Sequence, residues 1–241
     1  MKIQKIDISP KIRTLVLNSN VQSIFSIFDK YGFDLRIVGG AVRDVLLGEK
    51  PRDIDFATTA APTDVIYVLN ELSQGNYNSV VAKGIMHGTV NIVYSEKEVY
   101  EITSVAFKIT EKEGTLETVR GASWKDDALS RDFTVNSLQM TRDGLVYDHL
   151  GGIRDLKYQY IRFVRNYDQQ IKENPLMFYR FLKLTSKFQN PKYDPDIISF
   201  MIQNKELLNV VKLTTKNWFF YSIRKQKYPE NAFEIIKQIF A

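Results

Sequence analysis

The chain has 241 residues, a length for one or two domains, and 44% of them are hydrophobic, enough for a real core. It has no cysteine, which excludes disulfides, thiol catalysis and cysteine-ligated metals, and its 2 histidines are too few for a histidine-rich zinc site. A formal net charge of +5 is compatible with a polyanionic partner, and no apolar run approaches a membrane span, so no membrane association is expected. Residues 1–13 contain no apolar stretch of the kind that leads a secreted protein, so a cytoplasmic location is expected.

Along the chain, residues 35–38 read as a strand, followed by Gly39-Gly40 and a short helix over 41–47 that ends at Gly48. Residues 53–57 read as a second strand. Helical spacing returns after Pro62, with Val65, Ile66, Leu69 and Leu72 on one face. Residues 90–94 and 99–104 read as a hairpin joined by the charged turn 95–98. The stretch 126–140 is helical at first and apolar later, and 147–152 reads as a turn-rich connection. Beyond about residue 157 glycine disappears and the apolar spacing becomes helical. Pro175 suits the first turn of a helix that carries Leu176, Tyr179, Leu182 and Lys183 to about Phe188. Further helices are expected over 196–203, 206–211, 218–225 and 232–240. The pattern is α+β: a mixed head over 1–156 and an all-α part over 157–241.

The all-α part is rich in cations (Lys157, Arg162, Arg165, Lys172, Arg180, Lys183, Lys187) interleaved with Tyr158, Tyr160, Phe163 and Tyr167. Cations neutralise phosphates and aromatic rings stack on unpaired bases. The same pattern also describes a solvated helix face with its rings in the core, and both readings stand at this point.

The chemistry-bearing stretch is 37–48, with Gly39, Gly40 and Arg43, followed by Arg52-Asp53-Ile54-Asp55-Phe56. A Gly-Gly turn ahead of a helix lets backbone N–H groups approach a phosphate closely. Arg43 adds a charge-assisted donor. Asp53 and Asp55, two apart on an expected strand, point to one face. Two such carboxylates beside a triphosphate pocket are ligands for Mg²⁺ or Mn²⁺, the cations that oxygen donors favour. Alone, an Asp-x-Asp is an ordinary surface feature and a Gly-Gly an ordinary turn; their combination at this spacing is more specific. Glu101, on a strand whose opposite face carries Tyr100 and Ile102, is the third carboxylate candidate.

The run 37–58 resembles the first motif of the class II tRNA nucleotidyltransferases (CCA-adding enzymes) and bacterial poly(A) polymerases, within the polymerase-β-like nucleotidyltransferase superfamily. Residues 83–92 are similar to the family's glycine-containing strand and loop, and 100–103 to the strand with its third acidic residue. Residues 126–138 resemble its Arg-Arg-Asp-Phe-Thr-x-Asn-Ala-Leu motif, and 148–156 its connector from head to neck. The resemblance covers roughly 30–190 and continues weakly to about 225. It implies a polymerase-β-like head with a mixed sheet and flanking helices, followed by an all-α neck. It also implies template-independent transfer of C and/or A to an RNA 3′ end, most of all tRNA. Asp53, Asp55 and Glu101 would be catalytic and hold Mg²⁺ or Mn²⁺. Gly39, Gly40, Arg43, Arg131, Asp132, Asn136, Asn174 and Arg180 would bind the nucleotide, with ATP and CTP as substrates.

Four departures accompany the resemblance. The family's nucleotide-selecting Glu-Asp-x-x-Arg aligns with Glu173-Asn174-Pro175-Leu176-Met177, and a methionine offers no donor fork in place of arginine. Ser130 stands in place of an arginine, Ala106 where a strand usually ends in arginine, and 213–223 matches a later neck motif only loosely. The sequence extends about as far as a neck, which leaves three expectations open: a smaller RNA grip, a protein partner or oligomer that supplies further RNA-binding surface, or a different acceptor. Two other readings remain open: a non-catalytic RNA-binding relative, and nucleotide transfer to a protein or small-molecule acceptor.

Overall fold

The computed structural model describes residues 2–5, 17–73, 79–81, 88–95, 98–105, 107–112, 115–120 and 123–240. It divides into two compact units, Met1–Arg131 with Asn136–Leu150, and Asp132–Val135 with Gly151–Ala241. The split falls at Leu150/Gly151, a few residues ahead of the boundary expected at 156/157. A short piece of the family-like 126–138 segment belongs to the second unit.

The strands of the first unit are β1 (Lys2–Lys5), β2 (Leu35–Val38), β3 (Asp55–Thr58), β4 (Ser79–Val81), β5 (Thr89–Ser95), β6 (Glu98–Ser104), β7 (Phe107–Lys112), β8 (Thr115–Arg120), β9 (Gln139–Met140) and β10 (Leu145–Asp148). Among the described residues, eight of them form one sheet in the order β1–β10–β9–β2–β3–β6–β5–β4, and β7 pairs with β8 as a separate hairpin. Every neighbouring pair in the large sheet is antiparallel except β3 with β6. Parallel neighbours need a crossover, and the chain between β3 and β6 supplies it.

Helix α1 (Ser19–Lys30), which the sequence reading leaves unassigned, buries Val21, Ile24, Phe25 and Phe28 at helical spacing. Its N-cap Asn18 accepts a 2.8 Å bond from the Val21 N–H. Helix α2 (Gly40–Leu46) follows β2 directly. Helix α3 (Pro62–Ser73) buries Val65, Val68 and Leu69, and packs against α1 and on β4, β5 and β6. Helix α4 (Trp124–Ser130) opens on a capping box between Ser123 and Asp126. Core positions alternate along the strands: Ile37, Phe56, Ile92 and Ile102 are fully buried, and the Phe25 ring meets Phe56 edge-on at 5.6 Å.

Two expected boundaries are corrected. The strand expected over 53–57 begins at Asp55, so Asp53 lies in the bend that leads into it. The expected connection 147–152 is in part strand, because Tyr147 and Asp148 pair with Ile3 and Lys2 in β10. The charged turn at 96–97, His87 and Ala106 lie outside the described residues.

The second unit is helical: α5 (Gly152–Tyr158), α6 (Tyr167–Glu173), α7 (Leu176–Thr185), α8 (Asp196–Gln203), α9 (Leu213–Arg224) and α10 (Pro229–Phe240). The helix expected over 206–211 is instead a 3-10 stretch, Lys205–Val210. The expected helix at 218–225 starts earlier, at Leu213. Helix α7 is central; it buries Phe178, Tyr179, Phe181, Leu182 and Leu184 and contacts α6, α9 and α10. Residues 132–135 join this unit through Phe133, which bridges to Phe163 with ring centroids 4.7 Å apart. Asp155 completes the join, accepting from the Thr134 hydroxyl and pairing with Arg162 at 2.8 Å.

Phe56 sits mid-sheet with no exposed surface. Phe56→Ala is expected to cost roughly 3–5 kcal/mol, as full-size aromatic deletions in packed cores do. A urea unfolding midpoint shifted by less than about 1 kcal/mol equivalent would contradict this account of the sheet.

Candidate active site

Strand β2 delivers the chain to Gly39, whose φ of +73° and ψ of −138° suit only a glycine. Its N–H donates 3.2 Å to the Leu138 carbonyl, which ties the turn to the segment before β9. A Cβ on Gly39 would lie 3.7 Å from the Arg131 guanidinium. A side chain would fit beside Arg131, so it is the backbone conformation and not the space that calls for glycine here.

The antiparallel β2–β3 pair places Asp55 opposite Val38, beside the glycine turn. The parallel β3–β6 pair places Glu101 opposite Asp55, and the β6–β5 pair places Asn91 opposite Glu101. Paired residues share a face, so Asp55, Glu101 and Asn91 form one row across three strands. The intervening Phe56, Ile102, Val90 and Ile92 point into the core. Asp53, in the bend before β3, is exposed. Register brings Asp55 and Glu101 together, and Asp53 acts on Asp55 from the bend rather than from the strand.

Burial pushes the Asp55 carboxyl up to about 6; the charge of Glu101 adds to this, Arg131 opposes it, and Asp53 adds a smaller push. Asn91 Oδ1 is buried and accepts no hydrogen bond. Among the described residues no three acidic or histidine side chains close on one point as a preformed metal cage. The donor set is nonetheless all oxygen, with crowded negative charge and an orphaned amide oxygen in the same row. Such a set fits a hard divalent cation.

The cations of this unit are held in place by carboxylates. Arg43 donates from Nε to Asp44 at 2.9 Å and from Nη1 to the Asn136 side-chain oxygen at 2.6 Å. Arg131, at the end of α4, pairs with Asp127 at 2.6 Å. Asp127 also accepts 3.0 Å from the Gln139 amide, and Gln139 accepts 3.1 Å from Arg36. The Arg36 guanidinium is clamped between the Trp124 and Tyr147 rings, 3.9 Å from each centroid. This clamp fixes α4 to the sheet and so fixes Arg131. Gly39, Gly40, Arg43, Arg131 and Asn136 are therefore grouped in one unit with Asp53, Asp55 and Glu101.

Asp132, Asn174 and Arg180 belong to the helical unit. Asp132 accepts from the Phe133 N–H at 2.8 Å and from Arg180 at 3.3 Å. Arg180 is half exposed, so this pair contributes little stability. The Asn174 side-chain oxygen accepts 3.1 Å from the Leu176 N–H, which caps the start of α7. One end of its amide is thereby committed to the backbone.

A family model described as the poly(A) polymerase head domain matches residues 35–162, just over half of the chain. The chain belongs to this family. The mitochondrial CCA tRNA nucleotidyltransferase 1 of Homo sapiens is 34% identical over 206 residues, covering 85% of this chain and 45% of that protein. The CCA-adding enzyme of Lactobacillus johnsonii is 30% identical over 213 residues, covering 87% of this chain and 49% of that protein. The crystal structure of the Bacillus stearothermophilus CCA-adding enzyme in complex with CTP is 27% identical with a TM-score of 0.72, covering 91% of this chain and 52% of that one. The chain thus spans about half the length of the relatives it matches. The expected kinship with class II tRNA nucleotidyltransferases and poly(A) polymerases is met, as is the α+β class of its head and neck.

Sequence reasoning passed over Asn91, Asp44 and Asp127. Asn91 alternates with the core residues Val90 and Ile92, so strand period alone places it on the face of Glu101 once β5 and β6 are paired. Asp44 and Asp127 lie inside the motif-like stretches without a role assigned to them; they matter because they pair with Arg43 and Arg131.

The raised Asp55 carboxyl gives a stability signature with a definite sign. A folded-state value above the unfolded one favours folding at low pH, and that contribution is lost as pH rises through about 6. In chelator, the stability of Asp55→Asn relative to the parent is expected to grow by about 1 kcal/mol between pH 5 and 8. Urea midpoints at the two pH values measure it; a constant difference would place Asp55 in ordinary solvent.

Proposed function

We propose that this chain transfers nucleotides, C and/or A, from nucleoside triphosphates to an RNA 3′ end without a template, with tRNA as the favoured acceptor. The observation that carries the reading is the pairing of Asp55 with Glu101 across adjacent strands, beside a glycine turn and two arginines. Relatives named as CCA-adding enzymes support the acceptor class, and a neighbour holding CTP supports the donor class.

In the reaction the terminal RNA hydroxyl oxygen attacks the α-phosphorus, the bond to the bridging oxygen breaks, and pyrophosphate leaves. Asp53, Asp55 and Glu101 are the residues proposed to hold Mg²⁺ or Mn²⁺. A divalent cation there supplies charge neutralisation for the leaving group and activation of the attacking hydroxyl. Arg43 and Arg131, each held by its own carboxylate partner, are proposed to meet triphosphate oxygens. Gly39 and Gly40 open the backbone to the phosphates. Asn136 shares a bond with Arg43 and offers an amide to the ribose. Asp132, Asn174 and Arg180 are proposed as nucleotide contacts of the helical unit. Met177, with no donor, is expected to loosen base choice.

The test uses tRNAs lacking one, two or all three terminal nucleotides, an unrelated RNA, Mg²⁺ and labelled triphosphates singly and mixed. The parent chain is expected to extend RNA. Asp53→Ala/Asp55→Ala, and the parent in chelator, are expected to be slower by about 10³-fold or more. No incorporation into any RNA, with triphosphate binding intact, would sink the RNA reading and point to a protein or small-molecule acceptor.

A further inference from the structure

Helix α9 presents an outward stripe that none of the roles above uses. Thr214, Asn217, Trp218, Tyr221, Arg224 and Lys225 recur at helical spacing and all are exposed. The opposite side, Phe219, Ser222 and Ile223, is buried, so the helix is anchored and its outer side is not core. Trp218 is 54% exposed and Tyr221 55%. Both residues thus keep more than half of their surface open to solvent.

The charge around the rings is one-sided. From 212 to 227 the chain carries Lys212, Lys216, Arg224, Lys225 and Lys227 and no acidic residue. Two ammonium groups lie over the rings themselves: Lys183 is 5.1 Å from the Trp218 centroid and Lys225 is 4.1 Å from that of Tyr221. Each ring therefore has a cation on one face, and a base that takes that face turns the ammonium toward its phosphate. The rings are held from beneath, since Trp218 meets Phe219 edge-on at 4.9 Å and Phe219 stacks on Tyr179 at 5.4 Å.

We propose that this face of α9 is a binding platform for unpaired RNA, with bases stacking on Trp218 and Tyr221 and phosphates meeting Lys183, Arg224 and Lys225. Aromatic rings alternating with cations bind single strands with little sequence preference, because every base has a flat face and every nucleotide a phosphate. Asn217 and Thr214 add polar groups for base edges. A second copy of the chain is the poorer occupant, because a two-fold contact would set this acid-free, basic stretch against itself. The proposal names the RNA-gripping surface of the function proposed above and rests on that reading.

The test is the binding of a labelled single-stranded RNA 12-mer, and of tRNA lacking its terminal CCA, followed by anisotropy across a salt series. Trp218→Ala/Tyr221→Ala is expected to weaken binding by about tenfold or more and leave the salt slope unchanged. Lys183→Ala/Lys225→Ala is expected to weaken it and lower the slope by about 1.4, the value for two single-strand phosphate contacts. Both pairs should keep ATP affinity, which controls for folding. Parent-like RNA affinity in both variants, with the parent still extending RNA, would overturn this platform and leave the enzymatic reading standing. A parent that neither binds nor extends RNA would overturn both. A dimer that Trp218→Ala/Tyr221→Ala dissolves, with RNA affinity unchanged, would assign the face to self-association and overturn the proposal.

Discussion

The parallel pairing of β3 with β6 is the constraint on which the rest of the site depends. In a sheet otherwise antiparallel among the described residues, it sets Asp55 opposite Glu101 and, one strand further, Asn91. A register slip of one residue would turn either acid into the core and bring Phe56 or Ile102 to the surface. The hydrophobic alternation of the two strands therefore enforces the register of the carboxylates. The residues that never touch a nucleotide, Phe56 and Ile102, fix where the acids stand.

Electrostatic balance follows from that placement. Burial raises the cost of ionising Asp55, and the neighbouring charges of Glu101 and Asp53 add to it. The nearby arginines offset this charge only in part: Arg131 opposes the push on Asp55 while paired to Asp127, and Arg43 is paired to Asp44. The unit thus holds ordered guanidinium groups and a partly compensated acidic row. Under the proposed function, a triphosphate and its divalent cations would find separate partners there. The clamp of Arg36 by Trp124 and Tyr147 lies on the same chain of contacts. Through Gln139 and Asp127 it carries the rigidity of the sheet to Arg131.

The helical unit is built differently. Its central helix α7 is buried on most sides, so specificity there comes from helix ends and surface stripes rather than from strand register. Asp132 is separated in sequence from α7 yet meets Arg180. Asn174 ends one helix and caps the next. Departures from the family pattern fall in this unit at Asn174, Met177 and α9, and in the first unit at Ala106 and Ser130, whereas the glycine turn and the acids of the first unit keep the pattern.

The sequence by itself determined the helices α2, α3, α7 and α8, the strand β2, the glycine turn and the acids from which a catalytic trio is proposed. These are short-range signals: periods of 3.6 and 2, a Gly-Gly before a helix, and an Asp-x-Asp. Family-like order in the motifs fixed the class. Other features were not legible. Helix α1 and the strands β9 and β10 carry weak local signals and form because a buried face or a paired edge was available to them. Asp53 lies off the strand because β3 starts only where Val38 can pair with Asp55. Tertiary structure alone decided that Glu101 neighbours Asp55, since a parallel pair joins segments more than forty residues apart and no local pattern encodes which strand lies next to which. It alone decided that Asp44 and Asp127 hold the arginines, and that Trp218 and Tyr221 face outward rather than into the helical core. Local chemistry chose the side chains; long-range pairing and burial, which depend on the whole chain at once, chose their neighbours.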